Sequence, residues 1–288
     1  MLVNMTEMLA QAEAKGQAIA CFDTPNIETI QAVIRAAEAE DCPVILAHAQ
    51  SMDRFMSLEE LAPEMVAYAR AAKVPVCVHL DHGEDRDYVD KAMDLGFTSV
   101  MYDLSDRPYE ENVQEIAKLC KEAHALGITV EAELGVLNAG IDDAHKESSV
   151  ASMYTDPAQA ADFAARTGVD ALTVCFGTAH GQYKQPPKLD IPRVAEIRRQ
   201  MCTDCRIVMH GASGVDEEQI RASINAGVSK INYYSGLSRG CSKYIYSHMQ
   251  QCGGNMHWHA VHKLAQDWMV EHAREVIRKF RNVHVSNE

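Results

Sequence analysis

The sequence contains no run of about twenty apolar residues, the length that an α-helix needs to cross a membrane. The N-terminal residues, Met1 to Glu7, lack a basic segment followed by an apolar core, so no secretion signal is predicted. An excess of positive charge is also absent, since the formal net charge is −14 and the pI is about 5.4. These absences predict a soluble, cytoplasmic protein that has neither nucleic acid nor an anionic membrane as a partner.

Paired cysteines at zinc-finger distances are missing too. The nine cysteines are an odd number, and several of them lie in apolar, strand-like segments, which is typical of reduced, buried thiols. Cys202 and Cys205 have the spacing of a metal or redox motif, but no second pair lies at a suitable distance. We therefore interpret this spacing as chance.

Strand and helix patterns alternate along the chain without a break in composition. The predicted strands cover residues 17–22, 43–47, 74–80, 98–102, 128–134, 171–175, 206–209 and 228–232. Eight strands, each followed by a helix, predict a closed (β/α)8 TIM barrel, with extra C-terminal helices at 237–250 and 261–280. We expect residues 1–288 to form a single domain.

The alternative fold is an open, doubly wound parallel sheet. Its nucleotide-binding form needs a glycine-rich turn directly after an early strand. The segment from Cys21 to Pro25, which follows the first predicted strand, is not such a turn. The closed barrel is therefore favoured.

Polar residues collect at the carboxyl ends of the predicted strands, where parallel barrels carry their functional side chains. Asp81 and His82 end the third strand, and His180 and His210 follow the sixth and seventh. Three neutral imidazoles with a fourth position left open form the ligand set of a catalytic zinc. A lone histidine is more often a packed or surface residue, but three at one mouth favour a metal site.

Glycines follow two of these histidines directly. Gly181 and Gly211 would let backbone N–H groups approach an anion closely, and a phosphate is the obvious candidate. Ser213 can donate a hydroxyl to the same anion. A plain turn explains the segment Gly211 to Gly214 equally well when it is considered alone.

Several of these segments together resemble a known family. They are His79–His82, Glu131–Gly135, Gly177–Lys184, His210–Gly214 and Lys230–Asn232. In this order they resemble the class II, zinc-dependent ketose-bisphosphate aldolases, which include the fructose- and tagatose-bisphosphate aldolases. The resemblance extends from about Ala18 to Phe280.

The resemblance implies a catalytic zinc held by His82, His180 and His210, which would polarise the carbonyl of a ketose phosphate or of dihydroxyacetone phosphate. Asp81 would take the proton of the C4 hydroxyl during cleavage and return it during condensation. Asp103 and Glu133 match family positions that bind a second or displaced divalent ion. An equally good interpretation is that they hold the histidine ligands in place.

The resemblance also implies how the phosphorylated sugar is bound. Its phosphate would contact Gly181, Gly211, Ser213 and Ser235, with Na⁺ or K⁺ beside it. Asn232 would contact the enediolate, and Lys184 matches a family lysine that is equally well explained as a solvated loop residue. Homodimers or homotetramers are common in the family.

Two departures from the family pattern bear on catalysis and specificity. Ile141 stands where a mobile-loop glutamate normally moves the donor proton, so Asp142 or Asp143 is the predicted replacement, although each side chain is one methylene shorter. Tyr234 places an aromatic ring where a small or acidic side chain would touch the donor. We therefore expect a substrate other than fructose bisphosphate.

Three functions remain open from the sequence. The first is reversible cleavage of a phosphorylated ketose to dihydroxyacetone phosphate and an aldehyde. The second is a sugar-phosphate-binding partner subunit with weakened catalysis, which the missing glutamate at Ile141 favours. The third is a metal-dependent epimerase or isomerase that uses the same enediolate chemistry. Asp81, which cleavage needs and zinc binding does not, favours the first.

Overall fold

The structure is a computed structural model that describes residues 1–135, 154–181, 183 and 185–282. Eight parallel strands pair in sequence order, and the first pairs with the last, so the sheet is a closed barrel. The predicted (β/α)8 barrel is therefore confirmed. In the described part of the chain, no helix is long and apolar enough to span a membrane.

The strands and helices alternate as the sequence pattern predicts. The strands are β1 Ile19–Asp23, β2 Val44–Ala49, β3 Val76–Gly83, β4 Ser99–Tyr102, β5 Thr129–Leu134, β6 Ala171–Val174, β7 Arg206–Met209 and β8 Val228–Tyr233. The described helices are α1 Met5–Ala14, α2 Ile27–Ala39, α3 Leu58–Ala71, α4 Arg86–Asp94, α5 Tyr109–Ala125, α6 Pro157–Thr167, α7 Ile191–Gln200, α8 Glu217–Asn225, α9 Ser235–Gln251 and α10 Trp258–Phe280.

The amino-terminal end of the barrel is filled by apolar side chains. Met5 and Leu9 of α1 are buried there against Ile19, Ile45 and Cys77, which point inward from the first three strands. The inward-facing residues nearer the carboxyl ends of the strands are instead polar. Apolar packing thus closes one end of the barrel, and chemistry is confined to the other.

Helix boundaries follow from local capping. Asn26 caps α2 by accepting a hydrogen bond from the backbone N–H of Thr29 at 2.9 Å. Asp156 caps α6 directly before Pro157, and Gly168 ends that helix in the left-handed conformation. The final helix, α10, packs on α2 and closes the ring of helices.

The end of β3 differs from the prediction that the strand stops at Asp81 and His82. The strand continues to Gly83, and its register with β4 shifts between Leu80 and Gly83. His82 lies within this irregularity with φ of +45°, an uncommon value for a residue with a side chain. The irregularity places Asp81 and His82 side by side at the mouth of the barrel.

Candidate active site

Three histidines from three strands meet at the mouth of the barrel. The ring centroids of His82 and His210 are 4.8 Å apart, and those of His82 and His180 are 4.9 Å apart. One ligand nitrogen from each ring lies within 4.8 Å of the others. The structure therefore brings together the three imidazoles that the sequence pattern assigns to a metal.

The hydrogen bonds of two histidines determine which nitrogens face the centre of the cluster. Asp103 Oδ2 lies 2.7 Å from Nδ1 of His82, and Glu131 Oε1 lies 3.1 Å from Nε2 of His210. The remaining nitrogens, His82 Nε2 and His210 Nδ1, face each other at 3.0 Å. Tetrahedral zinc separates its ligand nitrogens by roughly 3.3 Å, so this pair fits a zinc ion closely.

The protonation state of His180 suits a metal, whereas His82 must lose a proton to bind one. Burial lowers the pKa of His180, and the other two imidazoles lower it further, to about 3, so one of its ring nitrogens has a free lone pair at neutral pH. Burial also lowers the pKa of His82, but the carboxylates of Asp81 and Asp103 outweigh that effect and raise it to about 10. A metal ion bound to His82 would therefore displace a proton.

A second cluster shares His82 with the first. It consists of His82, Asp103 and Glu133. Each of these residues offers one ligand atom, and the three atoms lie within 4.8 Å of one another. Burial, together with the nearby Asp103 carboxylate, raises the pKa of Glu133 well above its usual range, and its Oε2 is buried without a hydrogen-bond partner among the described residues. A cation would satisfy that oxygen, so the donor set fits a second metal position.

Asp81 is a buried carboxylate at the edge of the histidine cluster. Its Oδ1 accepts a hydrogen bond of 2.9 Å from Nδ2 of Asn232 and lies 3.8 Å from Nε2 of His210. Burial alone would raise the pKa of Asp81, but the His82 and His210 imidazoles outweigh it and lower the pKa. Asp81 is therefore ionised at neutral pH and can accept a proton.

A fully buried ion pair lies beneath Asp81. Nζ of Lys230 is 2.8 Å from Oε2 of Glu131, and both side chains are completely inaccessible to solvent. Lys230 also donates to Oδ1 of Asn232 at 2.6 Å, so the ion pair fixes the amide that holds Asp81. His79 completes the layer, with its Nε2 at 3.4 Å from Glu131 Oε2.

A cavity of about 250 Å³ opens above these groups. Asp81, His82 and His180 line one part of it, and Asn232, Tyr234 and the loops after β6 and β7 line another. Asp23, at the end of β1, also reaches this cavity, and one of its carboxylate oxygens is buried without a hydrogen-bond partner among the described residues.

The loops after β6 and β7 bring glycines and hydroxyls to the cavity. Gly211 has φ of +71°, and a Cβ atom there would lie 2.5 Å from the carbonyl oxygen of Ala179, so only glycine allows this close approach. Tyr183 ties the loops together, accepting from the N–H of Ala179 and donating to the carbonyl of Gly211, each at 2.8 Å. Ser213 Oγ accepts from the N–H of Gly236 at 3.0 Å, which leaves its own proton free to donate.

Most residues singled out in the sequence lie at this mouth. Gly181, Gly211, Ser213, Asn232, Tyr234 and Ser235 line the cavity together with Asp81, His82 and His180. His210, Asp103 and Glu133 lie in the adjoining clusters. Lys184, Ile141, Asp142 and Asp143 lie outside the described residues.

Sequence reasoning assigned no role to Asp23, His79, Glu131 or Lys230, although the last three lie in segments that carry the family resemblance. A signal for three of them was present. His79, Glu131 and Lys230 each lie two positions before Asp81, Glu133 and Asn232, and residues two apart on a strand face the same side. The period of two therefore places them inside the barrel.

Comparisons with known proteins agree with this arrangement. The family model for class II fructose-bisphosphate aldolase matches residues 3–285. Fructose-bisphosphate aldolase from Thermus caldophilus is 42% identical over 239 residues, covering 82% of this chain and 77% of that protein. Fructose-bisphosphate aldolase from Geobacillus stearothermophilus is 40% identical over 234 residues, covering 80% of each. The crystal structure of the YdjI aldolase from Escherichia coli K12 superposes with a TM-score of 0.86 at 32% identity, over 97% of both chains.

Proposed function

The chain belongs to the class II fructose-bisphosphate aldolase family, and from that premise we propose that it cleaves a phosphorylated ketose reversibly, with zinc, to dihydroxyacetone phosphate and an aldehyde. One observation carries the proposal. An ionised carboxylate, Asp81, lies next to His82 and 3.8 Å from His210 Nε2, and it lines the same cavity as His82 and His180. Retro-aldol cleavage needs a base beside an electrophilic centre. Asp81 would be the base, and a metal ion held by the histidines would be the electrophilic centre.

His82, His180 and His210 would hold the zinc ion. When bound, zinc would supply a Lewis acid that polarises the ketose carbonyl. Asp103 keeps His82 oriented through the 2.7 Å contact, and Glu131 does the same for His210 at 3.1 Å. The second cluster, with Glu133, is the proposed site of a further divalent ion.

Asp81 would accept the C4 hydroxyl proton in cleavage and return it in condensation. Its lowered pKa keeps it ionised and ready to accept. Asn232, held by Lys230 on one side, orients the carboxylate through its Nδ2 at 2.9 Å. Asp142 or Asp143 remains the proposed carrier of the donor C–H proton.

The donor phosphate would lie against Gly181, Gly211, Ser213 and Ser235, with Na⁺ or K⁺ and Lys184 as further proposed contacts. Ser213 supports this position because it lines the cavity and its Oγ accepts from Gly236, so the hydroxyl can donate to a phosphate. Tyr234 lines the cavity beside these groups and would narrow it, which supports a sugar other than fructose bisphosphate.

We propose further that residues 1–288 form one catalytic domain and that the protein assembles as a homodimer or homotetramer. Trp258 and Tyr246 support assembly because 73% and 65% of these side chains are exposed, and large exposed aromatic residues are typical of interfaces. Light scattering after size-exclusion chromatography measures the mass directly.

The test of the function is a cleavage assay on zinc-loaded protein against a panel of ketose 1-phosphates and ketose bisphosphates, with dihydroxyacetone phosphate release as the signal. We expect cleavage of at least one member, and no cleavage by Asp81→Ala. Epimerised or isomerised sugar without a triose product would replace the aldolase with an epimerase or isomerase. Sugar-phosphate binding without any product would indicate the partner-subunit function.

A further inference from the structure

A second cavity adjoins the proposed phosphate position. Its volume is about 460 Å³, and it shares Gly181, Ser213 and Ser235 with the active-site cavity. It extends outward between the loop after β6 and the first three turns of α9. The two cavities therefore meet at the groups proposed to hold the donor phosphate.

Two basic side chains line the outer cavity. Arg239 and Lys243 follow Ser235 at intervals of four residues along α9, so all three lie on the same face of the helix. In the part of the chain that the structure describes, neither basic residue forms an ion pair, although the chain carries a net charge of −14. Unpaired positive charge at this position suits an anionic ligand.

The proposed phosphate position itself has no cationic side chain among the described residues. The described residues lining the active-site cavity include no lysine or arginine, and contribute backbone N–H groups and hydroxyls near the phosphate. Lys230 lies below but is committed to Glu131 and Asn232. Apart from the proposed Na⁺ or K⁺ and Lys184, positive charge for a phosphate dianion at Ser213 and Ser235 would therefore come from outside that cavity.

We propose that Arg239 binds the donor phosphate, and that Lys243 strengthens binding through its charge from one turn farther away. This inference rests on the proposed aldolase function and deepens it. Four residues, a rise of about 6 Å along the helix, separate Arg239 from Ser235, and an arginine side chain spans that distance. The guanidinium would meet the phosphate from the outer cavity and pair with two of its oxygens, as arginine does with phosphates generally.

The test measures binding of inorganic phosphate to the zinc-loaded full chain by ³¹P NMR titration, apart from turnover. We expect Arg239→Gln to weaken binding at least about tenfold, since charge-assisted hydrogen bonds are the strong ones. Lys243→Gln should weaken it about twofold, because charge at that distance is screened by salt. Arg70→Gln is the matched control, since it removes an exposed positive charge in the last turn of α3, and it should leave binding within about twofold.

Ser213→Ala separates this inference from the proposed function. Weaker phosphate binding by both Ser213→Ala and Arg239→Gln supports the inference. If Ser213→Ala weakens binding and Arg239→Gln does not, the phosphate position stands and the role of Arg239 is wrong. If neither changes binding, the phosphate position fails as well.

Equal losses of phosphate binding in Arg239→Gln and Arg70→Gln would show only a general charge effect and would overturn the proposed contact between Arg239 and the phosphate. Should Arg239→Gln fail to fold, Arg239→Lys carries the test, with partial retention expected.

Discussion

Replacing Lys230 by methionine should destabilise the protein strongly, because it removes one partner of a fully buried ion pair. Lys230 and Glu131 are 2.8 Å apart with no solvent access to either side chain. Methionine keeps much of the lysine's volume but leaves the Glu131 carboxylate uncompensated. Breaking a buried pair in this way costs about 3–5 kcal/mol of unfolding free energy, which corresponds to a fall in Tm on the order of 10 °C.

The assay is urea unfolding followed by far-UV circular dichroism. The double variant Lys230→Met with Glu131→Gln removes both charges, so it should recover at least about 2 kcal/mol of the single variant's loss. Lys118→Met is the surface control, since Lys118 is exposed on α5, and its effect should stay within about 0.5 kcal/mol.

The same substitution should impair catalysis beyond its effect on stability. Lys230 donates to Asn232, and Asn232 in turn donates to Asp81, so losing the lysine frees the amide that orients the proposed base. In the urea assay, the account would be refuted if Lys230→Met lost less than about 1 kcal/mol of unfolding free energy. It would also be refuted if the double variant recovered none of that loss.

Three further predictions concern the metal and the base. Asp81→Asn should retain zinc, measured by elemental analysis, and lower kcat for cleavage by about 10²–10⁴-fold; unchanged turnover would remove Asp81 from the mechanism. His180→Ala should lose both zinc and activity, whereas His124→Ala, which alters an exposed histidine paired with Asp170, should lose neither. Zinc affinity, measured by competition with a chelator, should rise about tenfold per pH unit between pH 6 and 8. The reason is that the pKa of His82 is raised to about 10, so each zinc ion that binds displaces a proton. A zinc affinity that does not change with pH would contradict this.

Local sequence signals account for most of the fold. Helix α6 begins and ends where Asp156, Pro157 and Gly168 mark its two ends, and these are signals that the sequence carries locally. The predicted strand at 206–209 likewise coincides with β7. Each of these boundaries depends on residues close in the sequence, which is why the pattern alone suffices.

The irregular end of β3 could not be predicted in the same way. Gly83 pairs with Tyr102 on β4, and a Cβ atom at Gly83 would lie 2.6 Å from the carbonyl oxygen of Met101. The position of His82 therefore depends on a contact with a neighbouring strand. A glycine after a histidine resembles a turn when only the local sequence is considered.

In the candidate site, too, local sequence predicts some residues, whereas others depend on contacts between strands. Strand ends pointed to Asp81, His82, His180 and His210 because a parallel barrel gathers those ends at one mouth. The buried pair of Lys230 and Glu131 was missed because charged residues are rarely fully buried, and only their pairing across the barrel makes burial tolerable.

The most direct test of a metal-dependent aldolase is exchange of the C–H protons of dihydroxyacetone phosphate in deuterium oxide, followed by NMR. The measurement uses one protein sample before chelation, after chelation and after zinc is restored at one equivalent per chain. We predict exchange before chelation, loss of exchange afterwards, and recovery with zinc. Exchange that survives complete removal of metal, or no exchange in the zinc-loaded protein, would contradict the assignment.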